Sequence, residues 1–191
     1  MKNAHNHGIK IVLFFLIIAC TNLHAQQSAS SSQKSKTKLE SFQRQTGTVI
    51  IKGYSEIGTI LADNGSVEVD CMEFADATTG KRQMGILIKV KESGRVSERS
   101  FVDYDEVESL LKGIDYISKV KANATRLGKF EAIYKTKGDF NVTTFGSSSG
   151  MIEAAVKSGY ILPATVYMSL QRFAKVHALI LQAKQKLDSL K

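Results

Sequence analysis

The sequence predicts an α+β fold made of two consecutive four-stranded antiparallel β units, each closed by an α-helix. Residues 47–104 alternate between apolar and polar side chains and are divided by short turn sequences, a pattern typical of antiparallel hairpins. The hydrophobic period then changes from about 2 to about 3.6 residues, which indicates an amphipathic helix. The same order of strands followed by one helix recurs in the second half of the chain.

The first unit contains four predicted strands separated by tight turns. They are residues 48–61, 67–77, 82–92 and 95–104. Asn64-Gly65, between the first two, is a strong signal for a two-residue hairpin turn, while "TTGK" and "SG" divide the others. Connections this short join neighbouring antiparallel strands, so we expect a meander.

A helix is predicted directly after the fourth strand. Asp105 and Glu108 form a capping pair at its start. Its apolar stripe comprises Val107, Leu110, Leu111, Ile114 and Ile117. Gly113 lies beside that stripe and costs the helix about 1 kcal/mol relative to alanine.

The second unit repeats this plan with four shorter strands at 129–138, 139–146, 151–159 and 160–168. Pro163 cannot donate a hydrogen bond to a strand ladder, so we expect the last strand to be an edge strand or to carry a bulge. Ser169 can cap the closing helix, whose apolar positions are 173, 176, 180, 183, 187 and 190. Those positions have the spacing of a short coiled coil, so self-association through this helix or through a sheet edge is an open alternative to packing on its own sheet.

The order of elements over residues 47–190 resembles the architecture of the Whirly and Pur-type single-stranded nucleic-acid binders. The resemblance is one of element order, and the chain carries no residue motif of either family. It therefore implies a fold and leaves the function open.

Residues 1–25 have the layout of a secretory signal peptide. Lys2 and Lys10 precede an apolar run at 11–20, and a short polar segment leads to Ala25. The apolar run is too short to cross a bilayer, which needs about 20 residues, and no transmembrane span is expected in the mature chain. We favour cleavage after Ala25, giving a periplasmic or secreted protein. The alternative is a lipoprotein anchored through Cys20, because residues 17–20 resemble a bacterial lipobox.

The mature chain divides into a tether and one domain. Residues 26–45 are rich in Ser, Gln and Lys and poor in apolar side chains, which predicts a disordered, basic tether. Residues 46–191 then form a single α+β domain, with unit one at about 46–124 and unit two at about 128–191. Loss of Lys2 and Lys10 lowers the formal net charge from +8 to +6.

Few residues of the mature chain are suited to catalysis or metal binding. His177 and Cys71 are the single histidine and the single cysteine that follow the leader, so a zinc site or a catalytic triad lacks ligands and bases. Residues 146–150 match the letters of a nucleophile elbow around Ser148, but a strand rather than a helix is predicted to follow. The acids of 103–108 are explained by helix capping, with a weak calcium site as second choice. No catalytic residue, cofactor or metal is therefore predicted, and Cys71 is interpreted as a buried thiol.

Basic residues recur on and between the predicted strands and could form a polyanion-binding face. They are Lys81, Arg82, Lys89, Lys91, Arg95, Arg99, Lys135 and Lys137. A solvated sheet face of a moderately basic protein explains them equally well, and export favours that explanation because exported proteins seldom meet cytoplasmic nucleic acid. Anionic lipid headgroups and acidic polysaccharides are the other polyanions such a face could meet.

The function expected from the sequence is a non-catalytic binding or structural module of a bacterial envelope, with an envelope protein, a polyanion or a second copy as its partner. A nucleic-acid- or polyanion-binding module is the alternative. A hydrolase-type enzyme without a recognisable site ranks third, because its acid–base chemistry would depend on carboxylates and tyrosines.

The two processing alternatives predict different mature N-termini. Cleavage after Ala25 leaves an unmodified chain that begins at Gln26, and mass spectrometry of the exported protein should show that mass. A chain beginning at Cys20 with a diacylglycerol group would contradict this expectation and establish the lipoprotein.

Overall fold

Two four-stranded antiparallel sheets, each followed by a helix, make up the computed structural model, which describes residues 35–146 and 150–191. The strand orders are β1-β2-β3-β4 and β5-β6-β7-β8, so both sheets are meanders and the predicted fold class is confirmed. The elements, in chain order, are α1 (Lys38–Gln43), β1 (Ile50–Ala62), β2 (Gly65–Asp76), β3 (Arg82–Glu92), β4 (Glu98–Asp103), α2 (Tyr104–Ser118), β5 (Phe130–Lys135), β6 (Asn141–Gly146), β7 (Ile152–Ser158), β8 (Ala164–Ser169) and α3 (Leu170–Asp188).

Several expectations fall outside the described residues. They are the signal peptide at 1–25 with its cleavage after Ala25, the lipidation of Cys20, the tether at 26–34 and the serines of the 146–150 motif. Within the described ranges, no helix is both long enough and apolar enough to cross a bilayer.

One hydrophobic core lies between the inner faces of both sheets and the two long helices. The predicted stripe of α2 is buried from Val107 to Ile117, and the stripe of α3 is buried from Phe173 to Leu187. Leu190 does not belong to that stripe, because α3 ends at Asp188 and the Leu190 side chain is exposed.

Each long helix packs on both sheets rather than on its own sheet alone. The closing helix of the second unit, α3, approaches the first sheet so closely that a Cβ on Gly58 would lie 3.1 Å from Leu179. The closing helix of the first unit, α2, accepts a hydrogen bond from Thr144 of β6 at the Ile117 carbonyl, at 2.8 Å. The two units therefore share one core.

The hairpin turn predicted at Asn64-Gly65 is formed one residue earlier, by Asp63 and Asn64 between the paired Ala62 and Gly65, and it also joins the two sheets. The Asp63 N–H donates to the Tyr167 carbonyl at 3.0 Å, and the Tyr167 N–H donates to the Asn64 side chain at 2.8 Å. The Asn64 amide in turn donates to the Thr165 carbonyl at 3.1 Å. The turn thus occupies the free edge of β8, which is an edge strand as expected, although Pro163 lies just before this strand rather than within it.

A short helix lies where the sequence predicts a disordered tether. The prediction for 26–45 is wrong at 38–43, because α1 forms there and buries Leu39 and Phe42. Thr37 and Glu40 make a reciprocal capping box at its start. Two apolar residues in a polar segment are enough to dock a helix when the sheet offers them an apolar surface.

That apolar surface is on the outer face of the first sheet, the face turned away from the shared core. Leu39 and Phe42 pack there against Met72, Phe74, Leu87 and Phe101. Gly85 leaves room for α1, since a Cβ at this position would lie 2.5 Å from the Leu39 side chain. The strand alternation of β2 and β3 does not distinguish this covered part of the face from a solvated one.

Asp103 connects α1 to the junction of β4 and α2. Its buried carboxylate accepts the backbone N–H groups of Lys38 at 2.8 Å and Leu39 at 3.0 Å. Asp103 is also the N-cap residue of α2 but makes no side-chain cap there. The predicted capping pair of Asp105 and Glu108 is therefore wrong: Asp105 lies inside the first turn of α2, where it pairs with Lys38 at 2.8 Å.

Gly113 is required by the packing of α2 on β5. A Cβ at this position would lie 2.3 Å from the Tyr134 ring, so the ring of β5 lies directly on the helix backbone. This close approach explains why glycine occupies the position despite its low helix propensity.

The effect of Gly113→Ala distinguishes the sequence-based expectation from the structure. Helix propensity alone predicts a gain of about 1 kcal/mol in the free energy of unfolding. The clash with Tyr134 predicts a loss of about 1–3 kcal/mol instead. Urea denaturation of the single variants and of Gly113→Ala/Tyr134→Ala measures this: in the Tyr134→Ala background the alanine should become stabilising. A stabilised Gly113→Ala single variant would contradict the packing argument.

Candidate functional site

The predicted basic residues do not form one surface. Lys89, Lys91 and Arg99 share the outer face of the first sheet, where Lys89 lies opposite Arg99 on β4 and Glu68 on β2. Arg82 has the opposite strand parity, and Lys81 and Arg95 lie in the turns at the two ends of β3. Lys135 and Lys137 belong to the end of β5 and the turn after it, in the second sheet.

Several of these cations are paired with acids on the same sheet. Lys89 lies 2.8 Å from Asp70 and also contacts Glu68, and these two carboxylates raise the pKa of the lysine. Arg82 pairs with Glu73 at 2.9 Å. Arg95 pairs with Glu92 at 3.4 Å. The cross-strand register therefore pairs Lys89 and Arg82 with acids of β2, while Arg95 pairs within its own turn.

A small polar cavity lies between the end of α1 and β4. Its volume is about 200 Å³, and it is lined by Glu40, Gln43, Arg44, Arg99 and Phe101. Arg99 is the one residue of the predicted polyanion set that lines it. The cavity exists because α1 covers Phe101, so it could not be found from the strand pattern.

A second cavity, of about 150 Å³ and mainly apolar, lies between the β1–β2 ladder and the end of α3. Cys71 lies at its wall, together with Lys186 and Leu187. The Cys71 thiol donates to the Ala183 carbonyl at 3.3 Å, and burial raises its pKa to about 11. The thiol therefore remains protonated at neutral pH and is a poor nucleophile.

Among the described residues, His177 is not placed beside a nucleophile in the way that a catalytic base would be. Its Nε2 atom lies 3.5 Å from the Asp115 carboxylate, which links α3 to α2 at the protein surface. The strand β7 follows the 146–150 motif, whereas a nucleophile elbow needs a helix there.

The acids of 103–108 are used in the fold. Asp103 and Asp105 hold α1, Glu108 lies 3.6 Å from Lys112, and Glu106 accepts the Lys137 N–H at 2.9 Å. The other Glu106 oxygen is buried without a hydrogen-bond partner among the described residues. Burial, and then the nearby Glu106, raise the pKa of Tyr134, and the Ser109 hydroxyl partly opposes this. No three His, Cys, Asp or Glu side chains in the described part of the chain are grouped to hold a metal ion.

An exposed apolar loop is the feature that the sequence reasoning assigned to the wrong element. Tyr160, Ile161 and Leu162 were expected in the last strand, but they form the β7–β8 loop (residues 159–163) and are 70%, 78% and 79% exposed. The flanking Gly159 and Pro163 were the available signal, since both residues favour loops over strands. Three consecutive large apolar side chains in solvent suggest a contact surface.

The outer face of the second sheet is a further surface that the sequence did not single out. Among the described residues, no helix covers it, in contrast to the first sheet with α1. Ile133 and Tyr167 are 46% and 49% exposed there.

Comparison with protein-family models, with curated proteins and with solved structures gave no match to this chain. The likeness to Whirly and Pur-type proteins therefore remains one of element order.

The environment of Cys71 predicts slow thiol chemistry. In the processed protein at pH 8, labelling by an aromatic disulfide reagent should be at least about a hundredfold slower than in urea, because the native thiol is buried and protonated. Val96→Cys in a Cys71→Ser background is the control, since Val96 is 83% exposed and its replacement should react at once. Labelling of native Cys71 as fast as that control would show an accessible, activated thiol.

Proposed function

We propose that the chain is an exported, non-catalytic binding module of a bacterial envelope, and that it contacts an anionic membrane surface through the β7–β8 loop. The single observation that carries the proposal is the exposure of Tyr160, Ile161 and Leu162 next to the basic N-terminal segment. Export itself rests on the sequence of residues 1–25.

The composition of the loop suits the boundary between lipid headgroups and acyl chains. The transfer of isoleucine and leucine side chains from water to the acyl region is favourable in free energy. Tyrosine is enriched at membrane–water boundaries because its ring is apolar and its hydroxyl is polar. A protein that presents such side chains at the tip of one loop can insert them without unfolding.

The position of the loop relative to the N-terminal segment supports the same partner. The Lys36 ammonium lies 4.0 Å from the centre of the Tyr160 ring and 2.7 Å from the Asp139 carboxylate. Residue 35, where the described chain begins, is thus beside the loop. The exposed loop and the first described residues therefore lie at the same end of the domain.

Nearby lysines add an electrostatic attraction to anionic lipid. Lys137 is exposed in the β5–β6 turn, and Lys36 and Lys38 remain partly exposed although they pair with Asp139 and Asp105. Each lysine close to an anionic surface contributes about 1 kcal/mol at most, and short apolar contacts alone bind reversibly. We therefore expect reversible binding that weakens with salt.

Tryptophan fluorescence provides a direct test because the natural chain has no tryptophan. In processed Leu162→Trp, vesicles of phosphatidylglycerol and phosphatidylcholine should shift the emission to shorter wavelength, and brominated acyl chains should quench it. Leu127→Trp, in the equally exposed loop before β5 at the opposite end of the second sheet, is the matched control and should show neither change.

Two results would overturn the membrane proposal. One is an unchanged Leu162→Trp spectrum at low salt with vesicles in excess. The other is equal responses of Leu162→Trp and Leu127→Trp, which would indicate non-specific adsorption. A soluble polyanion such as heparin, added in place of vesicles, separates a charge contact from insertion, since it can bind the lysines but cannot shift the tryptophan emission.

A further inference from the structure

We infer that two copies of the chain associate face to face through the outer face of the second sheet, which we call the β5–β8 face. This face consists of three rows of residues that run across the four strands. The first row is Lys135, Asn141, Lys157 and Thr165; the middle row is Ile133, Thr143, Ala155 and Tyr167; the third row is Glu131, Phe145, Glu153 and Ser169. The inference is independent of the membrane contact proposed above.

The charges of the β5–β8 face are separated along the strands. Both lysines lie in the row beside the β7–β8 loop, and both glutamates lie in the row at the opposite end. None of these four side chains has an ion-pair partner among the described residues, whereas Lys89, Arg82 and Arg95 of the first sheet all have one. Four unpaired charges arranged by sign are available to another molecule.

A two-fold axis makes this surface complementary to itself. Consider an axis that lies in the interface and runs across the strands, along the middle row. Rotation about it places the lysine row of one copy over the glutamate row of the other, with Lys157 opposite Glu153 and Lys135 opposite Glu131. Each such contact occurs twice, as in every isologous dimer.

The middle row would lie at the centre of that interface and is suited to exclude water. Ile133 and Tyr167 lie at its two ends, and Thr143 and the nearly buried Ala155 lie between them. The Phe145 and Tyr167 rings meet edge to face with centroids 6.2 Å apart and planes at 88°, which fixes the orientation of both rings. An apolar centre bordered by charges is the usual anatomy of a protein–protein interface.

The β5–β8 face is also rigid, because its strands are fixed on their inner side and at one edge. Tyr167 takes part in the hydrogen bonds with Asp63 and Asn64, so the backbone beneath its ring is fixed. The inner side of the same strands is part of the shared core. A rigid face loses little conformational entropy on association.

The size of the face limits the strength of the dimer. Four strands and about six residues per strand give a footprint of about 20 Å by 20 Å, so a dimer buries about 800 Å² in total. Interfaces of this size are weak or transient. We expect a reversible dimer with a dissociation constant in the micromolar range or above.

Charge reversal tests the geometry. Sedimentation of the processed protein over a range of concentrations should show a monomer–dimer equilibrium. Lys135→Glu/Lys157→Glu and, separately, Glu131→Lys/Glu153→Lys should each weaken self-association at least about tenfold, because like charges would then face each other. An equimolar mixture of the two variants should form a heterodimer, since its rows are again complementary.

Lys175→Glu is the control for the lysine reversals, because Lys175 is exposed on α3 and its reversal changes the net charge in the same sense. It should leave dimerisation unchanged, and circular dichroism should show the same fold for every variant. The inference is overturned if the natural protein stays monomeric at about 1 mM, or if reversal on the β5–β8 face has no larger effect than Lys175→Glu. Failure of the mixture to associate would overturn the two-fold arrangement.

Discussion

Neither β4α unit has a hydrophobic core of its own, and the rest of the structure follows from this constraint. The helix that ends each unit buries its stripe between both sheets, so the core beneath the first sheet includes α3, the last helix of the chain. Gly58 and Gly113 are two positions where α3 and α2 lie close to a strand. The hydrogen bonds between the Asn64 turn and β8 join the units a second time, at the sheet edge. Residues 35–191 therefore form one compact unit despite their repeated plan.

The shared core buries the inner faces of both sheets but not their outer faces. The first sheet is partly covered by α1, and Asp103 is the residue that makes this possible. Its carboxylate holds the N-terminus of α1, while its backbone begins α2. The second sheet has no corresponding helix in the described residues, and it is on this outer face that we infer the contact with a second copy.

The hydrophobic periods of the sequence predicted those features that are determined within a single strand, turn or helix. Strand alternation and turn residues gave the two meanders, and the 3.6-residue stripe identified the buried residues of α2 and most of those of α3. What depends on partners distant in sequence could not be predicted. Asp103 was interpreted as one of several helix-capping acids. Its carboxylate instead accepts the N–H groups of Leu39 and Lys38, which lie 64 and 65 residues earlier in the chain. Lys89 was expected to belong to a basic face, but the strand register places Glu68 and Asp70 beside it. The β7–β8 loop was taken for a strand because its apolar letters outweighed Gly159 and Pro163.

The two proposed contacts of the second unit place a condition on each other. The β7–β8 loop lies at the lysine end of the β5–β8 face, because Lys157 is two residues before Gly159. A two-fold axis across the strands brings the lysine end of one copy to the glutamate end of the other, so the two loops of a dimer point in opposite directions. A single bilayer can then receive only one loop of the pair. A dimer would therefore sit on one membrane through one copy while its second loop faces away, available to an opposing membrane surface. Copies bound side by side on one bilayer must leave their β5–β8 faces unpaired or pair with copies farther from the lipid.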